Sequence, residues 1–226
     1  MQVSEALARR QSVRAFRADP VPPGLVEEIL DQARLAPSGG NLQPWRIFAL
    51  AGGELASFKQ AVAAQLAAGV LSETPEYAVY PERLWEPFRK RRRDTGAQRY
   101  AAIGVADKDV AGQQELSLRN YAFFGAPVGL FFCLDRRFGA PQWSDVGMYM
   151  LSVMLLAVEK GLDTCPQECW SNWPRTIAAH LQLPGELMVF AGMALGYRDP
   201  DHPLNRYRTD RAPLTEVAEL RGFLAP

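Results

Sequence analysis

The hydrophobic positions of the chain follow two spacings. Between 23 and 37 the apolar residues recur every three or four positions, which predicts a helix that begins at Pro23 and is stopped by Pro37. Shorter, mostly apolar runs at 45–50, 128–134 and 188–195 predict strands of a sheet. The pattern therefore mixes helices with a few strands.

Further helices are predicted from their end signals. Ser4 is expected to cap a short helix through Arg10, and other helices are expected near 54–68, 112–124 and 174–182. A long apolar helix is expected to begin at an Asp145 cap and to end near Gly161. Because a helix that is apolar on nearly all sides must be buried, we assign it to the core or to a dimer interface; a face that stacks on a ligand is the alternative.

This helix-rich, strand-poor count predicts an α+β fold, a layered sandwich in which helices flank a central mixed or antiparallel sheet. We expect one domain over 1–226. The regular spacing of hydrophobic residues weakens at 71–111. This segment contains Pro, Tyr, Trp and a basic cluster, and we expect it to be an insertion on the substrate side with some helix.

Composition narrows the class of partner. With 226 residues, 48% of them hydrophobic, the chain can build one sizeable core, and 25 basic residues balance 25 acidic ones. No global basic field exists for binding nucleic acid, so we expect small molecules or a second copy as partners. No signal peptide is predicted, and the longest apolar run, 146–158, is too short to span a membrane. Three cysteines, an odd number, fit a reducing compartment, and we expect a cytoplasmic protein.

Two constellations carry candidate chemistry. The first puts cationic and hydroxyl groups at a helix end, where they can clamp a phosphate, although a solvated basic edge is the alternative: Arg10, Gln11, Ser12 and Arg14. In the second, small residues let the backbone approach a flat ligand and polar side chains offer hydrogen bonds: Pro37, Ser38, Gly39 and Asn41, followed by Gln43-Pro44-Trp45.

The two constellations together resemble the nitroreductase family of FMN enzymes. Two later segments are similar to the same family: 161–168 looks like its flavin-facing turn, and 205–214 looks like its C-terminal phosphate-binding segment. The resemblance implies a homodimer with shared FMN sites and leaves mainly 71–111 uncovered.

The resemblance also implies roles for individual residues. The FMN phosphate and ribityl chain would be held by Arg10, Gln11, Ser12, Arg14, Arg208 and Arg211. From the other subunit, the same flavin would be reached by Pro37, Ser38, Gly39 and Asn41. Pro166, Gln167 and Glu168 would line the isoalloxazine ring, with the backbone N–H near Glu168 directed toward N5. Cys169 stands where related enzymes often have glycine, which leaves the path of this turn open.

The reaction that the resemblance implies passes hydride from NADH or NADPH to flavin N5 and then to a nitroaromatic, quinone or enone acceptor, in alternating half-reactions. The flavin supplies the chemistry, so no catalytic side chain is expected. A flavin-fragmenting or reductively dehalogenating member of the family is an alternative, and a flavin-binding sensor without turnover is another. The choice between the two nicotinamides stays open.

Within 71–111 the run 89–93 is strongly basic. It fits the 2′-phosphate of NADPH, an acidic substrate, or a solvated helix face paired with Glu82 and Glu86. Trp85 and Phe88, with Tyr77 and Tyr80, are expected to wall an acceptor pocket, because flat acceptors suit aromatic walls.

A metal site is the weakest of the hypotheses. Cys165 and Cys169 with His180 and His202 do not form the two close-spaced ligand pairs of structural zinc sites, so no metal is expected. We interpret the histidines as surface or capping residues. Cys169 is expected to be a buried small hydrophobe, with a redox thiol as the alternative.

Overall fold

The structure is a computed structural model that describes residues 1–106 and 108–223. Asp107, which belongs to the predicted insertion 71–111, and 224–226, which belong to the predicted domain 1–226, lie outside the described residues.

The centre of the fold is an antiparallel sheet of four strands in the order β1-β2-β4-β3. The strands are β1 (Arg46–Ala51), β2 (Val128–Asp135), β3 (Asp163–Gln167) and β4 (Leu187–Gly196). Every residue of β2 except Asp135 is buried, as its apolar run predicts for a strand covered on both faces. The sheet was expected to be mixed or antiparallel, and all of its strand pairs are antiparallel.

Eight α-helices are described: α1 (Val3–Arg9), α2 (Pro23–Ala33), α3 (Gly52–Ala67), α4 (Phe88–Ala101), α5 (Val110–Leu118), α6 (Ala140–Glu159), α7 (Pro174–Leu181) and α8 (Leu214–Val217). Among the described residues, no helix is both long enough and apolar enough to cross a membrane.

The side chains of β2 alternate between two apolar cores. Leu130 points to a core that includes Ile29 of α2 and Val153 of α6. Its neighbour Phe131 points to the opposite core, with Phe58 of α3. The alternation is the two-residue period of a strand, and it places helices on both faces of the sheet. The predicted α+β sandwich is confirmed.

Two predicted helix caps are wrong. α6 begins at Ala140 after Gly139, with a proline in its first turn, so Asp145 lies inside the helix rather than at its start. Because Asp145 is 4% exposed, its carboxylate is turned into the protein rather than toward the helix end. α1 begins at Val3 after Gln2, which places Ser4 inside that helix too.

The strand β3 was not predicted, because its segment was interpreted as a turn. It is the edge strand of the sheet, where a proline such as Pro166 is tolerated because its missing N–H does not interrupt the ladder. The N-terminal segment covers this edge: Ser12 forms a parallel bridge with Thr164, and Val13 N donates to Thr164 O at 2.9 Å. The basic N-terminal constellation therefore lies beside β3.

The predicted helix at 112–124 is shorter than expected. α5 ends at Leu118, and a 3-10 segment, Arg119–Gly125, connects it to β2. Phe123 and Phe124 in this segment have φ angles of 51° and 54°, which interrupt a regular helix and turn both rings into the core.

Candidate active site

A cavity of about 440 Å³ lies between the N-terminal and C-terminal segments. Its lining contains all six residues that the sequence assigned to a phosphate: Arg10, Gln11, Ser12, Arg14, Arg208 and Arg211. Tyr207 and Thr95, which the sequence did not single out, also line it. We call this space the arginine cavity.

Asn205 joins the two segments that form the arginine cavity. Its buried amide accepts the backbone N–H of Arg14 at 2.9 Å and donates to Ala15 O and Asp199 O, both at 2.8 Å. Arg208 adds a second link. Its guanidinium donates to the carbonyl oxygens of the last two residues of α1, Ala8 O at 2.5 Å and Arg9 O at 3.0 Å. The cavity is thus held by chain segments almost 200 positions apart.

The cations of the arginine cavity have no acidic partner. Within the described part of the chain, no carboxylate forms an ion pair with Arg10, Arg14, Arg208 or Arg211. Burial lowers the pKa of Arg10, and the nearby guanidinium groups of Arg211 and Arg208 lower it further. Crowded cations without a counter-charge favour an anionic ligand that carries more than one charge.

A larger cavity, of about 770 Å³, adjoins the end of β3, and we call it the ring cavity. Pro166, Gln167, Glu168 and Cys169 form one part of its lining. The segment predicted as an insertion contributes another, with Tyr77, Tyr80 and Arg92, and α6 contributes Met150 and Met154. The lining is mixed: Arg92, Asn120, Gln167, Glu168 and Asn172 stand beside these aromatic and apolar side chains. Aromatic and apolar walls with polar groups among them can hold a flat organic ligand and orient it.

The turn after β3 is fixed by the side chain of Gln167. Its Nε2 donates to Asn120 O at 2.7 Å, and its Oε1 accepts from Trp170 Nε1 at 3.3 Å. The chain then enters a 3-10 turn, Glu168–Asn172, in which Cys169 does not have a positive φ, so this backbone does not require glycine there. Burial raises the pKa of the Glu168 carboxyl and of the Cys169 thiol.

The helix α4 contributes to both cavities. Arg92 lines the ring cavity and Thr95 lines the arginine cavity. Residues three positions apart lie on one face of a helix, so this face of α4 extends along the site. All five residues of the basic run are exposed, and the sequence could not indicate that Arg92 is the one that lines the ring cavity.

Two predicted groups lie outside both cavities. The loop that carries Pro37, Ser38, Gly39 and Asn41 lines neither, and Asn41 has a φ of 55°. Trp85 and Phe88 are 58% and 46% exposed and contact each other with ring centres 5.5 Å apart. Of the four aromatic residues expected to wall an acceptor pocket, Tyr77 and Tyr80 line the ring cavity.

The remaining candidates have local partners. His180 Nε2 lies 2.9 Å from Glu54 Oε1, and His202 Nδ1 accepts the N–H of Leu204 at 3.2 Å, which caps a 3-10 turn. The cysteines are free thiols, and burial raises the pKa of Cys165 to about 11 and that of Cys133 to about 12. Across 1–106 and 108–223 there is no group of three or more side chains that could hold a metal ion.

Comparison with known proteins gives one family. The model of the nitroreductase family matches residues 7–197. The chain is 36% identical over 220 residues to a 4-nitrobenzoate reductase of Pseudomonas putida, covering 96% of this chain and 94% of that protein. It is 35% identical over 214 residues to a chloronitrobenzene nitroreductase of Comamonas testosteroni, covering 95% and 94%.

A solved structure shares the whole fold. The FMN and NADPH-dependent nitroreductase NfnB of Sphigopyxis sp. strain HMH superposes with a TM-score of 0.95 at 45% identity, covering 99% of this chain and all of that one.

Proposed function

Because the chain belongs to the nitroreductase family, we propose that it binds FMN in the arginine and ring cavities and uses NADH or NADPH to reduce nitroaromatic acceptors. The observation that carries this proposal is the set of guanidinium groups without an ion pair in the arginine cavity, together with a second, tyrosine-lined cavity that α4 also borders.

The residues present fit the phosphate end of FMN. A phosphate monoester carries nearly two negative charges at neutral pH, and guanidinium groups bind it through paired, charge-assisted hydrogen bonds. Arg10, Arg14, Arg208 and Arg211 supply that charge, and Ser12 supplies a hydroxyl. Gln11 acts differently, because its Nε2 already donates to Asn205 O at 2.8 Å. We assign it to holding the two chain ends together.

The residues at the end of β3 fit the ring. FMN bound there would supply the hydride chemistry at its N5 atom. Pro166, Gln167 and Glu168 line one side of the ring cavity, and we assign the backbone N–H of Glu168 to a hydrogen bond with N5. Because the side chain of Gln167 is buried and bonded to Asn120, its amide fixes the turn and leaves the backbone to face the ring.

Nicotinamide and acceptor would use the ring cavity in turn. Tyr77 and Tyr80 offer flat faces to either molecule and reduce the access of water. Tyr77 is held by stacking on Phe190 at 5.9 Å and by a hydrogen bond from its hydroxyl to Phe190 O. One shared cavity gives the alternating, ping-pong kinetics expected of this reaction.

We also propose a homodimer with shared sites. The loop at 37–41 lines neither cavity of its own chain, so it is available to the flavin of a second copy. The exposed apolar residues Leu42, Met148 and Leu151 lie on or near this loop and α6, which suits an interface. Met148→Lys should therefore give a monomer with little FMN; a monomer that keeps its full FMN content would contradict the shared site.

Domain organisation and location complete the proposal. We propose one FMN-binding domain, with 71–111 as a substrate-side insertion, because Tyr77, Tyr80 and Arg92 in this segment line the ring cavity. The free thiols of Cys133, Cys165 and Cys169 support a reducing compartment, and we propose the cytoplasm.

An anaerobic stopped-flow experiment tests the function. The purified protein should be yellow, its flavin absorbance should bleach on mixing with NADH or NADPH, and the absorbance should return on a second mixing with a nitroarene. Protein that binds FMN but is bleached by neither nicotinamide would contradict the proposal and favour a sensor. Bleaching without recovery on nitroarene would contradict the assignment of the acceptor.

A further inference from the structure

The basic run at 89–93 is exposed along its whole length, but its members differ in their partners. Four of its five members pair with carboxylates: Arg89 with Glu86 at 2.8 Å, Lys90 with Asp94 at 2.5 Å, Arg91 with Glu216 at 2.6 Å and Arg93 with Asp94 at 3.5 Å. Arg92 is the exception, since its guanidinium has neither an ion pair nor a hydrogen bond to any described residue.

Arg92 is also the member of the run that lines the ring cavity. Its guanidinium carbon lies 4.3 Å from the centre of the Tyr80 ring, and Tyr80 lines the same cavity. A cation–π contact of this kind uses the charge of the guanidinium and not its N–H donors, and a carboxylate can bind two of those donors. The contact with Tyr80 therefore restrains Arg92 while leaving its donors available.

The ring cavity has a basic and an acidic side chain on different elements of the fold. Arg92 belongs to α4, whereas Glu168 belongs to the turn after β3, beside the place assigned to the flavin ring. An acceptor with an anionic group at one end and a nitro group at the other would direct its anionic end to Arg92 and away from Glu168. The nitro group would then lie toward the turn at Pro166 and Glu168.

We propose that Arg92, held over the Tyr80 ring, binds a carboxylate on the ring of the nitroaromatic acceptor, so that the protein prefers acidic nitroarenes to neutral ones of the same size. This inference rests on the function proposed above and adds the charge of the substrate. The names of the relatives do not decide it, because one refers to a nitrobenzoate and another to a neutral chloronitrobenzene.

The test compares an acidic with a neutral acceptor. The measured quantity is kcat/KM of the holoenzyme for 4-nitrobenzoate divided by kcat/KM for nitrobenzene. Arg92→Gln should lower this ratio about tenfold, mainly through a higher KM for 4-nitrobenzoate, because a charge-assisted hydrogen bond to the carboxylate is lost. Arg92→Lys, which keeps the charge but not the fork, should give an intermediate ratio.

Arg93→Gln is the matched control, because it removes the same charge from the neighbouring position of α4 where the side chain is paired with Asp94. Its ratio should stay within about twofold of the wild type. An equal loss in Arg93→Gln and Arg92→Gln would indicate a general field of the helix and would overturn the inference.

Two further outcomes would also overturn it. The first is an Arg92→Gln ratio within about twofold of the wild type. The second is an Arg92→Gln variant with an unchanged acceptor ratio and a higher KM for NADPH but not for NADH. That result would assign Arg92 to the 2′-phosphate of NADPH. If the wild type reduces neither nitroarene with either nicotinamide, the proposed function itself is wrong. Reduction of both without an effect of Arg92 refutes only the substrate preference.

Discussion

The carboxylate of Asp145 accepts the backbone N–H of Gly39, with Gly39 N 3.3 Å from Oδ1 and 3.4 Å from Oδ2. This contact joins the second turn of α6 to the exposed loop at 37–41, across more than 100 positions of the chain. In the proposed dimer this loop would reach the partner's flavin, and the acid that the sequence indicated as a helix cap would then hold part of a cofactor site.

Asp145→Ala should weaken both the fold and FMN binding. It removes the acceptor of the Gly39 N–H, and we expect the free energy of unfolding of the apoprotein to fall by about 1–2 kcal/mol. FMN should bind several times more weakly, as measured by quenching of flavin fluorescence, because the loop is no longer fixed. Asp145→Asn keeps an acceptor oxygen and should retain most of the affinity. Ser144→Ala, at an exposed neighbouring position, serves as the control, and wild-type FMN affinity in Asp145→Ala would refute the role of the contact.

Arg10→Gln should not destabilise the apoprotein. The lowered pKa of Arg10 means that its charged form is disfavoured in the folded state, through burial and the cations Arg211 and Arg208. Removing the charge relieves this cost at every pH below the folded pKa. At low ionic strength the thermal midpoint of the apoprotein should stay the same or rise, while added inorganic phosphate should stabilise the wild type more than the variant. Arg206→Gln, at an exposed position paired with Asp201 at 3.5 Å, is the control. A clear loss of apoprotein stability in Arg10→Gln would contradict a site built for an anion.

Glu168 should make stability depend on pH. Burial raises its pKa above the ordinary value of 4.5, so folding favours the protonated carboxyl. The stability associated with that proton is present below pH 4.5 and is lost as the pH rises through the folded pKa. Glu168→Gln should therefore match the wild type near pH 4 and become the more stable protein above the folded pKa. Urea unfolding of the apoproteins between pH 4 and 7 measures the difference, with Glu27→Gln on the exposed side of α2 as control. A difference that does not change with pH would contradict the raised pKa of the Glu168 carboxyl.

Gly192→Ala should be among the most damaging small substitutions. A Cβ at Gly192 would lie 2.2 Å from Trp170 Cδ1, and both residues are buried where neither can move freely. We expect a loss of about 1–3 kcal/mol in unfolding free energy from overpacking. FMN affinity should fall as well, because Trp170 is hydrogen-bonded to Gln167 in the turn at the ring cavity. Gly185→Ala, where a Cβ meets no atom within 4 Å, is the control. Equal stability of the two variants would show that Trp170 has room to shift.

The elements that the sequence predicted well have strong local signals. Pro23 marks the first turn of α2, and uninterrupted apolar residues mark β2 and β4, because these strands are covered on both faces. β3 was missed because its five residues, Asp163–Gln167, include a proline and three polar side chains. Their burial comes from β4 and from the segment at Ser12, which are distant in sequence.

The residues of the candidate site also differ in how well the sequence indicates them. The residues of the arginine cavity could be named from the sequence because they resemble family motifs, although Asn205, which joins the two motifs, carries no signal of its own. Arg92 could not be distinguished from its basic neighbours, because its place in the lining of the ring cavity depends on where α4 begins and on the position of Tyr80. Asp145 was misassigned because an acid near the start of an apolar run has the same local pattern whether it caps a helix or bonds a distant loop.

The central claim is that the guanidinium groups of the arginine cavity hold the phosphate of FMN, and the most direct measurement compares FMN with riboflavin, which lacks that phosphate. Titration of the wild-type apoprotein should give an affinity for FMN that is about 100-fold or more above that for riboflavin. Arg10→Gln should reduce this preference about tenfold by weakening FMN alone, whereas Arg206→Gln should leave it unchanged. Equal affinities for the two flavins in the wild type, or an undiminished preference in Arg10→Gln, would contradict the account.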